Sequence, residues 1–329
     1  MIFRKRRISP SVLGPALAAL VLGCSHADPF DTGVTDLDGP MQPGNPARLT
    51  LNPLRDQNAT WLPDGSAILY TFEANAAHNF DRCLALLPRG GGTRRELCST
   101  SAGHVDSTEV YGPSAVSDSG RLVYAFTQSV PGRQIPNHKE LRVATLADPQ
   151  TFEVLHPLPF GIDGFGIDSV LEVHWLGANR VVYLGTFGIP NTIMRDRIVV
   201  LIDLRSPAQP SVVPGTISVS SLAVGTDPDA IIITRPGDSR VYHLALASGQ
   251  QTVLHDFAPG FPGDIDVRMN RLVTVTDSTL ITVDLSTGMS DTLVGDPGTP
   301  KLRSPAVSIN GTVVAEGLMD LWLFEAPSS

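Results

Sequence analysis

Charged and aromatic residues are scarce in this chain of 329 residues. Charged side chains make up 17% of it and aromatic side chains 6%, whereas hydrophobic residues make up 42%. Glycine and proline are frequent, at 30 and 27 residues. Apolar runs are short before Gly, Pro, Asp or Asn interrupts them, and no helical spacing is sustained after the first residues. This composition predicts many short strands joined by tight turns rather than long helices.

Cysteine is also rare, with three in the chain. Cys83 and Cys98 lie at equal distances on either side of the turn-rich run 88–93. A hairpin centred on that run would place them opposite each other, so we predict a disulfide in an exported chain. The alternative is two buried free thiols. A metal site is not expected, because no further cysteine or close histidine pair accompanies them.

The first 23 residues read as a targeting segment. Four basic residues, Arg4 to Arg7, precede an apolar stretch over 12–22 that is too short to span a bilayer. The sequence Val21-Leu22-Gly23-Cys24 resembles the lipobox of bacterial lipoprotein signals, although Leu22 is bulkier than is usual there. The resemblance implies lipidation of Cys24, cleavage after Gly23 and a flexible tether over residues 24–45. The alternative is an ordinary cleaved export signal.

Charge limits the partners of the mature chain. Removing residues 1–23, which hold four basic and no acidic residues, changes the formal net charge from −9 to −13. Such an acidic body argues against nucleic acid as a partner and against electrostatic docking on anionic lipid. Attachment to the membrane would come from the acyl chains. We expect an exported, membrane-anchored lipoprotein of the bacterial cell envelope, and Ser25 after the cysteine favours the outer membrane.

One sequence motif, which consists of a strand, a turn and an apolar strand, occurs six times along the chain. It is clearest at Ala59–Tyr70 and returns at Ser114–Tyr124, Val173–Tyr183, Leu222–Ile233, Asp264–Thr274 and Pro305–Ala315. The matched ends are spaced by 54, 59, 50, 41 and 41 residues, and the last two are the length of a compact four-stranded propeller blade. Each repeat divides into four strands, a to d.

The sixth repeat lacks its fourth strand. It supplies Ser304–Ser308, Gly311–Glu316 and Asp320–Phe324, and a surplus strand, Ala47–Leu51, precedes the first repeat. Pairing the surplus strand with the last repeat would close a ring and cover its edges. We therefore predict an all-β fold, a six-bladed β-propeller over residues 46–329 that is closed by an N-terminal strand joining the last blade.

The first repeat resembles a known family. Trp61-Leu62-Pro63-Asp64-Gly65 and the apolar strand after it resemble the WD40-like (PD40) repeat of TolB-type six-bladed β-propellers. The resemblance implies that Asp64 and Gly65 form the a–b turn and that Trp61 packs between blades. TolB carries a further N-terminal α/β domain that its partners need, and here the tether takes that place.

The long connections between strands are expected on one face, above the first three repeats. They are 73–81, 100–111, 128–139, 157–169 and 187–196. Long loops that lie close together over one part of a face favour recognition of a protein segment or a glycan. The alternative is that they are surface loops without a function. The candidate binding residues there are His78, Asp81, His104, Asp106, Tyr111, Arg133, His138, Phe160, Phe165, Arg195 and Asp196.

Catalytic and cofactor motifs are missing from the sequence. The loop histidines show no ligand spacing, and no Gly-x-Ser-x-Gly elbow or phosphate-binding glycine loop is present. Glu172, His174, Asp264 and Asp266 could face a central channel and hold a cation. The leading hypothesis is a monomeric, lipid-anchored binding or scaffold module without a cofactor, which binds a protein or glycan. The alternatives are a propeller enzyme, such as a metal-assisted hydrolase or lyase with its site at the channel mouth, and a purely structural lipoprotein.

Overall fold

The computed structural model describes residues 46–50, 54–73, 82–98, 108–129, 138–189, 192, 194–205, 210–276, 279–293, 302–317 and 319–325. These residues form strands and turns. Within these ranges there is no helix that could cross a bilayer. The predicted signal segment, the tether and Cys24 lie outside the described residues.

Twenty-five strands are present in the described part of the chain. The first thirteen are β1 (Ala47–Arg48), β2 (Asp56–Trp61), β3 (Ala67–Glu73), β4 (Arg82–Pro88), β5 (Arg95–Glu96), β6 (Thr108–Val116), β7 (Arg121–Ser129), β8 (His138–Thr145), β9 (Phe152–Leu158), β10 (Phe160–Ile162), β11 (Phe165–Leu176), β12 (Arg180–Gly188) and β13 (Arg195–Asp203). The others are β14 (Ser211–Val212), β15 (Ser221–Ala223), β16 (Ala230–Thr234), β17 (Arg240–Ala245), β18 (Gln251–Asp256), β19 (Ile265–Arg268), β20 (Arg271–Thr276), β21 (Thr279–Asp284), β22 (Ser290–Leu293), β23 (Leu302–Val307), β24 (Val313–Gly317) and β25 (Asp320–Phe324).

The strands form antiparallel sheets that follow the sequence repeats. Repeats three, four and five form the sheets β10–β14, β15–β18 and β19–β22. Repeats one and two share one eight-stranded sheet, β2 to β9, because a single parallel pairing, Arg82 with Val110, joins β4 to β6. Counting hydrogen-bonded sheets of the described residues therefore gives five.

The early strand pairs with the last sheet. β1 lies antiparallel to β25, with Ala47 opposite Leu323, in the order β1-β25-β24-β23. The regular pairing covers two residues rather than the five predicted for Ala47–Leu51. Beyond it, the Leu49 N–H still donates to the Leu321 carbonyl at 2.8 Å, and the Leu321 N–H donates to Oγ1 of Thr50 at 2.9 Å. A side chain thus replaces the backbone partner where the regular ladder ends.

The hydrophobic core is divided among the interfaces between successive repeats. The described residues form six buried clusters, and each draws its members from two consecutive repeats. One cluster joins the last repeat to the first, with Leu321 and Leu323 against Ile68 and Tyr70. Neighbouring residues of a strand point to opposite faces of its sheet, and in the central strands both are buried, because each sheet packs both of its faces.

The a–b turn of the first repeat has the form that its sequence predicts. Gly65 has a φ of 69°, and the N–H and hydroxyl of Ser66 both donate to Oδ1 of Asp64, at 3.0 and 2.7 Å. Trp61 is 7% exposed and donates from Nε1 to the Ala306 carbonyl at 3.1 Å. It therefore packs between the first and last repeats.

The predicted disulfide is confirmed. β4 and β5 pair with Ala85 opposite Glu96, and extending this register by two residues in each direction places Cys83 opposite Cys98. Their Cα atoms are 5.6 Å apart and the two residues are bonded. The fourth strand itself is shorter than the predicted Arg95–Ser99, since β5 covers only two exposed residues.

Candidate functional site

A cavity of about 240 Å³ lies where the first strands of the repeats meet. Its lining comes from β2, β6, β11, β15, β19 and β23 or the residue just before them, together with Arg197 of β13. The residues are Asn58, Ala59, Thr60, Pro113, Ser114, Leu171, Glu172, Val173, His174, Arg197, Ser221, Asp264, Ile265, Asp266, Ser304, Pro305 and Ala306. We call it the axial cavity.

A repeated β-bulge shapes the axial cavity. The pairing of β2, β6, β11 and β23 with the next strand shifts register at equivalent places, at Gln57/Thr60, Tyr111/Ser114, Val170/Glu172 and Arg303/Ala306. Except for Gly112, the residues within the shifts line the cavity, and two of them, Asn58 and Ser304, have φ values of 55° and 45°. Bulges bend a strand and re-aim its side chains, which turns these residues toward the cavity.

Acidic side chains of the axial cavity bind the backbone of the following repeat. Oε2 of Glu172 accepts the Leu222 N–H at 2.7 Å and the Ser221 hydroxyl at 3.2 Å. Burial, and then the charge of Asp264, raises the pKa of Glu172 to about 8. The carboxyl is thus a proton-binding group near neutral pH, although its side chain keeps some contact with the water-accessible cavity.

The same arrangement recurs between repeats five and six. Asp264 accepts the N–H and hydroxyl of Ser304, both at 3.1 Å, and Asp266 accepts the Val307 N–H at 2.8 Å. Burial raises the pKa of Asp266 and lowers that of His174, and the attraction between the two opposes both shifts. These acids therefore join inner strands to each other, a role that the sequence did not reveal.

Glu316 makes the corresponding contact between the last repeat and the first. It is 4% exposed, accepts the Asn58 N–H, and receives Nε of Arg303 at 3.1 Å. Burial raises its pKa to about 7, and the charge of Asp264 adds to the rise. Glu316 could not be predicted from the sequence, because nothing in its strand pattern marks it as a residue that reaches the next repeat.

The two ends of the axial cavity differ. At the end that carries the a–b turns, a wider depression of about 500 Å³ shares Thr60, His174 and Asp266 with the cavity. Arg268 crosses this end and donates to the Pro63 carbonyl at 2.9 Å. Met269 and Ile309 stand exposed on its rim, at 58% and 43%. We call this side the short-turn face.

The opposite side carries the longer connections, and we call it the long-connection face. Between the second and third strands of each repeat lie eight, eight and six residues in repeats one to three, but five, two and two in repeats four to six, counted between the strand bounds. The strands are longer there as well, since β7 and β12 have nine residues whereas β16 has five and β20 six. The sheets of repeats two and three therefore extend farther than the others on this face.

The predicted binding residues take different positions. His78, Asp81, His104, Asp106 and Arg133 lie outside the described residues. Tyr111 is 4% exposed and stacks on Tyr124 at 5.5 Å between ring centroids, so it belongs to the core and not to the surface. Tyr111 is buried because it is part of the sheet of repeat two.

The remaining candidates lie on repeats two and three. The His138 side chain is 58% exposed beside Glu140. The Arg195 side chain is 63% exposed and pairs with Asp168 at 3.1 Å, while Asp196 accepts the Ser218 hydroxyl at 2.7 Å. Arg195 and Asp196 are thus neighbours along β13 with different partners, and His138 lies on the neighbouring sheet.

The stretch 157–169 is not a free loop. β10 pairs with the edge of β11 that lies opposite β12, and Ile162 and Ile167 are buried in the core between repeats two and three. Phe160 packs against His156 at 4.9 Å and Phe165 against Phe187 at 4.8 Å, measured between ring centroids. These aromatic residues stabilise the hairpin and are only partly available to a partner.

A second cavity, of about 290 Å³, lies between repeats one, two and three on the long-connection face. It shares Asn58, Pro113 and Leu171 with the axial cavity. Its other lining residues are Gln57, Arg82, Val110, Gly112, Ala125, Phe126, Thr127, Lys139, Leu158, Ser169 and Val170. Among the lining residues that the structure describes, two side chains are cationic and none is acidic, so we call it the basic cavity.

Sequence reasoning missed Arg82 and Lys139. The scarcity of lysine is a signal in the sequence that could have drawn attention to Lys139. The chain holds only three lysines, Lys5, Lys139 and Lys301, and the first lies in the leader. The pairing that brings Lys139 near Arg82 depends on the parallel contact between β4 and β6, which no local pattern predicts. Among the described residues, no group of three or more His, Cys, Asp or Glu side chains is arranged to hold a metal ion.

Comparison with known proteins shows the fold. No protein family and no curated protein matches the sequence. A calcium-binding regucalcin from Agrobacterium tumefaciens matches with a TM-score of 0.54 and 10% identity, over 85% of this chain and 93% of that one. The acylaminoacyl peptidase of Pyrococcus horikoshii matches at 0.51 and 10%, over 83% of this chain and 51% of that one.

A structure of a nidogen/laminin complex also matches, with a TM-score of 0.50 and 12% identity over 75% of this chain and 82% of that one. The chain spans about half of the peptidase's length. Regucalcin and the peptidase have propeller-type folds, and this chain is likewise an all-β protein of propeller-like arrangement. At this level of identity the likeness extends to the fold alone.

Proposed function

We propose that this protein is a lipid-anchored binding module of the bacterial cell envelope that captures a protein or glycan partner on its long-connection face. The observation that carries the proposal is an asymmetry of the fold, in which the connections between the second and third strands are longer in repeats one to three than in repeats four to six. Long connections on a rigid scaffold are the usual location of recognition surfaces.

The architecture that we propose is a closed ring of six blades, akin to TolB-type propellers with PD40 repeats. Three observations support it. The buried clusters lie between successive repeats, including the last and the first. The axial cavity draws its lining from the inner strands of all six repeats. The pairing of β1 with β25 supplies the strand that repeat six lacks.

The membrane anchor is proposed from the sequence. Lipidation of Cys24 would hold the propeller at the membrane through the tether 24–45, with the leader 1–23 removed. Replacing Cys24 by serine should release the protein from the membrane fraction and abolish incorporation of labelled palmitate. Retention of both in Cys24→Ser would contradict the anchor and leave the binding proposal to its own test.

The alternative function, an enzyme with its site at the channel mouth, is favoured by one observation. Glu172, with its pKa raised to about 8, lines the axial cavity near a second carboxyl, and shifted carboxyls in cavities are frequent at catalytic centres. Binding is the better supported function, because Glu172, Asp264 and Asp266 already accept backbone N–H groups of the next repeat.

The test is affinity capture from solubilised envelope by the purified, lipidated full chain. One variant changes exposed residues of the long-connection face, His138→Ala, Met194→Ser and Arg195→Ala. A matched control changes exposed residues of the short-turn face, Asp118→Ala, Met269→Ser and Ile309→Ser. The first should lose the captured partner and the second should keep it, at equal thermal midpoints. Loss of the partner only in the second variant would refute the proposed face.

A further inference from the structure

The basic cavity has the composition of a site for a small acidic ligand. We infer that it binds the carboxylate of a hydroxyl-rich ligand of monosaccharide size, that is, a sugar acid. The inference rests on the proposed function, since the cavity opens on the long-connection face, and it gives that function a ligand class.

The backbone register places the two cations on one row of side chains. Val110, Thr127, Lys139 and Leu158 are directly opposite one another across β6, β7, β8 and β9, and Arg82 pairs with Val110. Three strand spacings separate Arg82 from Lys139, or about 14 Å between their backbones. Both side chains are long and line the same cavity, so their charged ends can reach one anion between them.

The charge of Lys139 has no carboxylate partner among the described residues. Its Nζ donates to the backbone carbonyl of Asp168 at 3.1 Å. The Asp168 carboxylate is itself engaged by Arg195 at 3.1 Å and by the hydroxyl of Thr186 at 2.5 Å. An ammonium that meets only neutral oxygen is poised to accept an anionic ligand, which would replace some of its lost hydration.

Arg82 is held in place for the same ligand. With its amide oxygen toward the guanidinium, Gln57 accepts from Nη1 and Nε of Arg82 at 2.8 and 3.0 Å. Glu73 forms an ion pair with Nη2 of Arg82 at 3.7 Å, and Glu73 is not among the lining residues of the cavity. The chain has a formal net charge of −9, whereas the described lining of this cavity holds two cations and no acid, which is a local reversal of sign. Such a reversal concentrates anions at the cavity.

The rest of the lining favours a sugar acid over a bare anion. The side-chain amide of Asn58 and the hydroxyl of Thr127 offer hydrogen bonds to ligand hydroxyls, while Val110, Phe126 and Leu158 supply an apolar wall. The volume of about 290 Å³ lies at the small end of ligand pockets. A single ring with several hydroxyls and one carboxylate matches that combination of size, polarity and charge.

The scarcity of lysine provides a direct test. The purified full chain is treated with an amine-acylating reagent in the presence of glucuronate, glucose or acetate, and modification is measured by mass spectrometry. Glucuronate should slow modification of Lys139 and leave Lys301 unchanged, whereas glucose and acetate should protect neither lysine. Equal protection by acetate would refute the sugar part of the inference, and equal protection by glucose would refute the carboxylate part.

Calorimetry with variants separates the site from general effects. Lys139→Met and Arg82→Gln should each weaken glucuronate binding roughly 10- to 100-fold, the usual cost of removing a charged hydrogen bond from a site. Lys139→Arg keeps the charge and should recover part of the affinity. An oligoglucuronide that binds more tightly than glucuronate identifies a glycan as the source of the ligand, and equal affinity identifies the free sugar acid.

Failure of this inference is distinguishable from failure of the proposed function. If glucuronate neither protects Lys139 nor gives a calorimetric signal, the inference is refuted. The capture experiment with the His138, Met194 and Arg195 variant then still decides whether the long-connection face binds a partner, because it does not depend on the chemistry of the ligand.

Discussion

Replacing Cys83 and Cys98 by alanine should lower the thermal midpoint of this protein substantially. The fourth strand of the first repeat, β5, has only two residues, both exposed, so few backbone hydrogen bonds hold it to β4. The disulfide connects residues separated by 15 positions. A loop of that length corresponds to about 3 kcal/mol of unfolding free energy when the effect is assigned to chain entropy. Each kcal/mol shifts the midpoint by roughly 1.5–2 °C in a chain of this size, so we expect a decrease of roughly 4–6 °C.

The assay is circular dichroism or calorimetric melting of the wild type and of the double variant, with and without a reducing agent. The wild type should fall to the midpoint of the double variant when it is reduced, and the double variant should not respond to the reductant. Equal midpoints of the oxidised wild type and the double variant would refute the reasoning, because they would show that the outer strand is held without the covalent link.

Three further changes test individual contacts. Trp61→Phe removes the hydrogen bond to the Ala306 carbonyl and should cost about 1–3 kcal/mol in urea unfolding. Arg48→Ala removes the 2.6 Å ion pair with Asp320, which is 6% exposed, and should cost about 1–3 kcal/mol and speed amide exchange in β25. The pKa of Glu172 is raised to about 8 in the folded protein from its ordinary value of 4.5. The contribution of this carboxyl to folding stability is therefore complete below pH 4.5 and is lost as the pH rises through 8. Stability should therefore fall between pH 5 and pH 8 in the wild type and less so in Glu172→Gln, and equal slopes in urea midpoints would contradict the raised pKa.

The strands and their turns could be predicted because they depend on local chemistry. The apolar segment 67–72 and the polar turn before it predict β3 and the a–b turn, since a short apolar run and a glycine at positive φ are properties of a few neighbouring residues. The pairing of Cys83 with Cys98 followed in the same way from the centre of one hairpin.

The composition of the site could not be predicted in the same way. Lys139 lines a cavity with Arg82 only because β4 meets β6 in one parallel pairing between two repeats. Glu316 reaches Asn58 across the junction of the last and first repeats. The sequence predicts Tyr111 on a surface connection, but Tyr111 lies in the core, because a strand of a sheet occupies that position. Contacts between distant segments leave no periodic mark in the sequence.

The binding proposal is tested most directly by photo-crosslinking in intact cells. A photoreactive residue is placed at Arg195 on the long-connection face or at Ile309 on the short-turn face, both of which are exposed. We expect covalent adducts with envelope material from position 195 and none from position 309. Adducts from position 309 alone would contradict it.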